Sequence, residues 1–175
     1  MLDKLGFRAA TPPSKQNVRS AHNAVLSVVD KLLGERDVRA VIEHLNQRTA
    51  FRFTEISRFD PPILRGVFLY DRAHRGTIEP MAHVIDDSYS SIIRREKKPF
   101  WTEDSMMDAR LPAHSARAAV RSYVGAPIRL SGGGIWGVLA HFDKKPRQIP
   151  EGEAELLLQV ASLVSHELFA KSPAA

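Results

Sequence analysis

Residues Tyr123–Asp143, YVGAPIRLSGGGIWGVLAHFD, constrain the fold of this chain more than any other stretch. Two apolar runs rich in β-branched and aromatic residues flank a Ser-Gly-Gly-Gly turn, which reads as a β-hairpin near the middle of a buried sheet. Gly132 to Gly137 also fit the letters G-x-G-x-x-G. A dinucleotide site needs a helix to begin there, so that its amides face the pyrophosphate. A second strand, IWGVLAHF, follows instead. The glycines are therefore assigned to a tight turn and a close backbone approach.

The rest of the chain is organised around that hairpin. Residues 1–16 read as a flexible lead-in, because Thr11-Pro12-Pro13 cannot join a helix interior. Val18, Ala21, Val25, Val28, Val29 and Leu32 recur at helical spacing and predict a helix over 17–33, closed by Gly34. A second helix is predicted over 37–48, with Val38, Val41, Ile42 and Leu45 on one face. Residues 50–58 alternate as a first strand, Asp60-Pro61-Pro62 turns the chain, and further strands are predicted over 64–71 and 76–82. Residues 86–96 read as a helix with an acidic start and a basic end, which suits the helix dipole. Residues 100–103 are extended, and 106–120 form a loop with one helical turn near 115–119. Pro150-Glu151 opens a last helix to about residue 170, and 171–175 form a tail. This order predicts one α+β domain over 17–170, a central antiparallel sheet with helices packed on it, the first and last helices sharing one face.

Composition excludes several functions. With no cysteine among 175 residues, disulfides, thiolate metal sites, thiol catalysis and cysteine-linked chromophores are ruled out for this chain. No apolar run is long enough to cross a membrane as a helix, and the N-terminus lacks the apolar core of a secretory signal, so a cytoplasmic location is expected. The net charge is +5, with residues 151–175 carrying −3 and the remainder +8. The arginines are scattered, with no basic helix and no aromatic-basic RNA motif, so a solvated basic surface is favoured over nucleic-acid binding. Seven histidines show no ligand spacing, and neither G-x-S-x-G nor H-E-x-x-H occurs. No metal or cofactor is expected.

The order S-Y-V-G-A-P-I, turn, G-V-L-A-H-F-D-K-K-P-R, then a last apolar helix with an acidic start, resembles the C-terminal half of a GAF domain. Upstream, Trp101-Thr102-Glu103-Asp104 with Asp108-Ala109-Arg110 is similar to the family's strand end and D-P-R-like loop, with Ala109 where Pro is usual. The resemblance spans most of residues 17–170. It implies a small α/β sensor module, often paired through its terminal helices. Some GAF-like proteins reduce methionine sulfoxide with cysteine thiols, a chemistry closed to this chain.

A ligand pocket is expected between the sheet and the 86–120 region, with an apolar lining and a few convergent polar groups. The candidate ligand-binding residues are Phe68, Tyr70, Trp101, Asp104, Arg110, Tyr123 and His141. Asp104 and Arg110 serve either a polar ligand or an ion pair that holds the loop. A small anionic or aromatic metabolite is the expected ligand, with Arg110 as its charged fork. Ser165-His166-Glu167-Leu168 resembles the opening of a histidine-kinase phosphoacceptor box, but the Arg-Thr-Pro portion is missing, and Leu168 continues a core stripe with Leu156, Leu157, Val160, Leu163 and Val164. The apolar arc of this helix is wide enough to leave surface for a homodimer. The expected function is a non-catalytic small-molecule sensing or regulatory module, acting as a homodimer or on a signalling partner. Two alternatives stay open: a ligand-free interaction module, or an enzyme with a non-thiol site built from Asp104, Arg110 and His141.

Overall fold

The computed structural model describes residues 15–74, 81–111 and 113–169. Six strands form one sheet: β1 (Phe53–Asp60), β2 (Ile63–Asp71), β3 (Ala82–Val84), β4 (Phe100–Thr102), β5 (Ser122–Arg129) and β6 (Ile135–Asp143). Their order is β3-β2-β1-β6-β5-β4, and every neighbouring pair is antiparallel. The β5–β6 hairpin closes where Leu130 N–H donates to the Gly134 carbonyl and Gly133 takes φ +81°, a conformation glycine adopts without a Cβ clash. No helix starts there, as the strand reading of IWGVLAHF requires.

Two of the four helices, α2 (Val38–Gln47) and α4 (Glu153–Phe169), lie on one face of the sheet. The first helix, α1 (Lys15–Gly34), packs across both of them as an outer layer. It is therefore on the expected side but not on the strands themselves. Its buried residues are Val25, Val29 and Leu33, while Val28 stays 40% exposed. The core of this helical side joins Val41, Ile42, Leu45, Leu156, Leu157 and Val160 to Ile56, Val124, Ala126 and Leu139 of the sheet. The side chains of β1, β5 and β6 alternate, so their other residues face the opposite side. There α3 (Ser90–Glu96) and two 3₁₀ turns, Ile85–Asp87 and Ser115–Ala118, cover a smaller cluster around Tyr89, Ile93, Phe100, Leu111 and Tyr123.

Several boundaries move from the sequence expectation. The first strand starts at Phe53 rather than residue 50, because the Phe51 N–H is taken by the Thr49 hydroxyl and its ring is buried. The helix expected over 86–96 divides. Ser88 turns extended (φ −132°, ψ 153°) between the first 3₁₀ turn and α3, and its hydroxyl donates to the Ile85 carbonyl. The acidic pair Asp86-Asp87 thus belongs to the turn, while Arg94 and Arg95 still sit at the α3 C-terminus. The edge strand β3 pairs with Ile63–Arg65 through Ala82–Val84. The strand expected over 76–82 lies mostly outside the described residues, as do most of the lead-in over 1–16 and the tail over 171–175. Gly152, at φ +76°, reverses the chain ahead of α4, which delays that helix to Glu153.

Candidate functional site

The alternation of β1 sends Thr54 to the helical face and Glu55 to the other. Glu55 pairs with Leu69 of β2 and Ala140 of β6, so neither flanking strand gives its carboxylate a cation. It opens instead into a cavity of about 160 Å³ between the sheet and the segment 83–120. The floor of this cavity comes from Glu55, Leu64, Tyr123 and Phe142. The roof comes from His83, Asp87, Ser88, Tyr89, Ser90, Ala116, Ala119 and Val120. The apolar strand floor and the short, hydroxyl-rich turns above it follow from the local sequence. Alternating strand residues supply rings, and Asp87-Ser88-Tyr89-Ser90 supplies a break with polar side chains.

Hydrogen bonds tie roof to floor. Tyr89 is buried and its hydroxyl donates to the Val120 carbonyl at 3.1 Å. The Tyr123 hydroxyl lies 3.2 Å from Ser90 Oγ. Tyr123 reaches there by crossing Gly125, where an added Cβ would stand 2.6 Å from the phenol oxygen. The rings of Tyr89 and Tyr123 meet edge to face, with centroids 5.5 Å apart. The Ser105 hydroxyl donates to the Arg117 carbonyl at 2.6 Å, and the Ser115 hydroxyl donates to Asp87 Oδ1 at 2.7 Å. At the mouth, His83 and Asp87 are exposed.

The electrostatics of this side are dominated by desolvation. Burial pushes the Glu55 carboxyl up to about 7, against a smaller opposing effect of a hydrogen bond from Ser57. Burial also raises the Tyr123 phenol, with the Glu55 charge adding to the effect. Among the described residues Glu55 enters no ion pair.

Of the seven residues expected to share a site, only Tyr123 lines this cavity. Phe68 and Tyr70 point to the helical face, pairing with Ile56 and Thr54 and packing against that core. His141 lies on the same helical face, fully buried. Its Nδ1 is 2.6 Å from Thr54 Oγ1 and its Nε2 is 3.3 Å from Glu153 Oε1. Arg48 reaches the same Glu153 carboxylate at 3.2 Å. Burial opposes the charge on Glu153, but the hydrogen bond from His141 and the charges of His141 and Arg48 outweigh it and hold the carboxyl below the usual range. His141 is thus a brace between the sheet and α4, and its ring nitrogens are engaged by Thr54 and Glu153 rather than by Asp104 or Arg110.

Trp101, Asp104 and Arg110 do come together, but on an open groove of about 740 Å³ beside the N-terminus of α4. Their polar atoms are engaged by the protein. Asp104 accepts a paired contact from Arg121 at 2.7 and 2.8 Å. Arg110 forms a two-point ion pair with Asp108 at 2.6 and 2.9 Å and donates to the Trp101 carbonyl at 2.6 Å. Its guanidinium sits 5.0 Å from the Phe100 ring centre. The fork expected for an anionic ligand therefore holds the loop. His166 is exposed on α4 and Leu168 packs toward the core, which matches an ordinary amphipathic helix end. Glu55, His83, Asp87, Tyr89 and Ser90 escaped the sequence reading. The available signal was a carboxylate at an inward position of a strand, in FTEIS.

An antiparallel sheet with helices on one face and a short-helix roof over a cavity on the other defines a small α+β fold. The GAF domain model matches residues 23–168, and the chain belongs to that family. It is similar to the A. aeolicus nlh2 GAF domain in an inactive state, at 14% identity and a TM-score of 0.65, over 89% of this chain and 99% of that one. The GAF domain from the Acinetobacter phosphoenolpyruvate-protein phosphotransferase aligns at 10% identity and a TM-score of 0.68, over 85% and 92%. The free methionine-R-sulfoxide reductase from Neisseria meningitidis, in complex with its substrate, aligns at 14% identity and a TM-score of 0.69, over 94% and 97%. At these identities the likeness establishes the shared fold. No curated protein matches the sequence. Among the described residues no helix is long and apolar enough to cross a membrane.

Proposed function

We propose that the protein is a non-catalytic sensory or regulatory module whose small-molecule ligand occupies the Glu55–Tyr123 cavity. The observation that carries this reading is the cavity itself. It is partly enclosed, lined by rings, and holds two carboxylates, Glu55 and Asp87, and four hydroxyl-bearing residues, Ser88, Tyr89, Ser90 and Tyr123. The fold neighbours support the same reading, since they include the chromophore-binding domain of a bacteriophytochrome and the GAF domain of a phosphotransferase. The sulfoxide reductase shares the fold, but this chain has no cysteine for thiol chemistry.

The mechanism is a population shift. A ligand touching Tyr89, Ser90 and Val120 binds best to one arrangement of the roof, whose hydrogen bonds run through those residues. On the other face of β1, Thr54 contacts His141 and through it Glu153 at the start of α4. A change at Glu55 is thereby one residue from the brace that seats the terminal helix. Output runs through α1 and α4, as a homodimer or against a signalling partner. Val28 is the exposed apolar residue for this contact, since Leu158 packs partly into the core.

Ala119 is exposed at the cavity rim, so Ala119→Leu fills the space without displacing core residues. Native mass spectrometry of freshly purified protein is expected to find a retained small molecule that this variant loses. Retention unchanged by the variant would place the ligand elsewhere. A dimer in the same spectra that Val28→Glu dissociates supports the helix contact, and a monomer throughout contradicts it.

A further inference from the structure

The ligand's chemical class follows from what the cavity lacks. Two carboxylates address it, Glu55 at the floor and Asp87 at the mouth, and among the described residues no lysine or arginine lines it. The elements around Glu55 repeat this pattern: its own strand offers the Ser57 hydroxyl, and the 115–120 segment offers Ala116, Ala119 and Val120. Strand β2 presents Leu69, β6 presents Ala140, β5 presents the Tyr123 phenol, α3 presents Ser90, and β3 presents His83 at the rim. An anionic ligand would stand beside Glu55 with no cation to meet it. A purely apolar one would leave the carboxylate with the Ser57 hydroxyl as its donor and no counter-ion for its charge, which is expensive. A ligand carrying an N–H cation supplies both charge and donor. The rings of Tyr89, Tyr123 and Phe142 add π faces suited to a cation.

We propose that the cavity binds a small organic cation, an ammonium compound whose N–H donates to the Glu55 carboxylate. The proposal rests on the cavity being the ligand site. Its volume of about 160 Å³ suits an ammonium head on a short chain. Binding requires Glu55 ionised. With its carboxyl near 7 in the free protein, protons and cation compete for one group. Affinity therefore falls below that pH, by about tenfold per unit once well below it, and levels off above it.

The probes are three molecules of one shape: n-pentylammonium, n-pentanol and pentanoate, titrated by NMR chemical-shift perturbation at pH 8. Pentylammonium is expected to bind at least tenfold more tightly than either relative. Its affinity should drop about 30-fold between pH 8 and 5.5, as the ionised fraction of a group near 7 dictates. His83 is a second ionisable group at the rim, so the drop must survive in His83→Gln. Glu55→Gln should abolish both the preference and the drop; an unchanged preference there overturns the proposal. If that variant does not fold, the wild-type profile decides, and a flat profile overturns it. Pentanol or pentanoate binding as tightly as the amine also overturns it, while leaving the cavity as the ligand site. Silence from all three overturns both readings.

Discussion

The two faces of the sheet use neighbouring residues of one strand for opposite ends. On the helical face Thr54 joins His141, Glu153, Arg48 and Asn46 in a buried network whose polar groups are paired. Around it, α2, α4 and the sheet leave a filled core. On the roof face Glu55 is also enclosed, yet it meets rings and hydroxyls beside a cavity. Both environments withdraw water from a carboxylate. Glu153 keeps its charge because His141 and Arg48 compensate it, whereas Glu55 is driven toward its neutral form. Burial alone therefore does not set the direction of a shift; the partner does. A paired carboxylate fastens a structure, and an unpaired one in a cavity is available to a ligand.

The largest effect that could break this contrast is at Glu153. Glu153→Ala removes the partner of a fully buried His141 and of Arg48, and should lower stability by about 3–5 kcal/mol in chemical denaturation. Because the folded-state carboxyl is depressed, its contribution is present above the ordinary carboxylate range and fades as pH falls through the folded value. The wild type should thus lose stability in acid more steeply than the variant. Equal acid limbs would mean that the network does not fasten α4.

The opposite sign is expected at Glu55. Its carboxyl is raised in the fold, so the folded state holds a proton that the unfolded chain has released between the ordinary carboxylate range and about 7. Stability should decline across that window and level off above it. Glu55→Gln should remove the decline and stabilise the protein at pH 8, on the order of 3 kcal/mol. A wild-type stability that is flat from pH 5 to 8 would show that Glu55 has a compensating partner.

The smallest expected effect is at Arg110. Arg110→Ala breaks a half-exposed ion pair with Asp108 and the bond to the Trp101 carbonyl, costing about 1 kcal/mol. Ligand affinity in the cavity should be unchanged. A tenfold or greater loss would return the site to the groove beside Trp101.

The hairpin, the antiparallel sheet and the stripes of α2 and α4 were legible because periodicity reports which residues share a face. A cavity does lie beneath the 86–120 segment, where the sequence predicts a pocket. Its residues were not legible. Arg121, seventeen positions along the chain, takes Asp104, and Asp108 takes Arg110. Such pairings are set by loop geometry, which residue type does not reveal. The placement of His141 was within reach. The hairpin register sets Tyr123 against Phe142, so His141 faces away from Tyr123. Glu55 was hidden for a different reason. Alternation separates two faces without saying which of them is left hollow.

The contrast between the two faces turns on the state of Glu55. Carbon-13 NMR of the glutamate side-chain carboxyls, assigned by Glu55→Gln and followed from pH 3 to 9, measures it directly. Glu55 is expected to titrate near 7 while Glu153 stays ionised to below the usual range. A Glu55 midpoint near its ordinary value of about 4.3 would contradict the contrast, since the carboxylate would then be hydrated or paired and the cavity would hold no waiting charge.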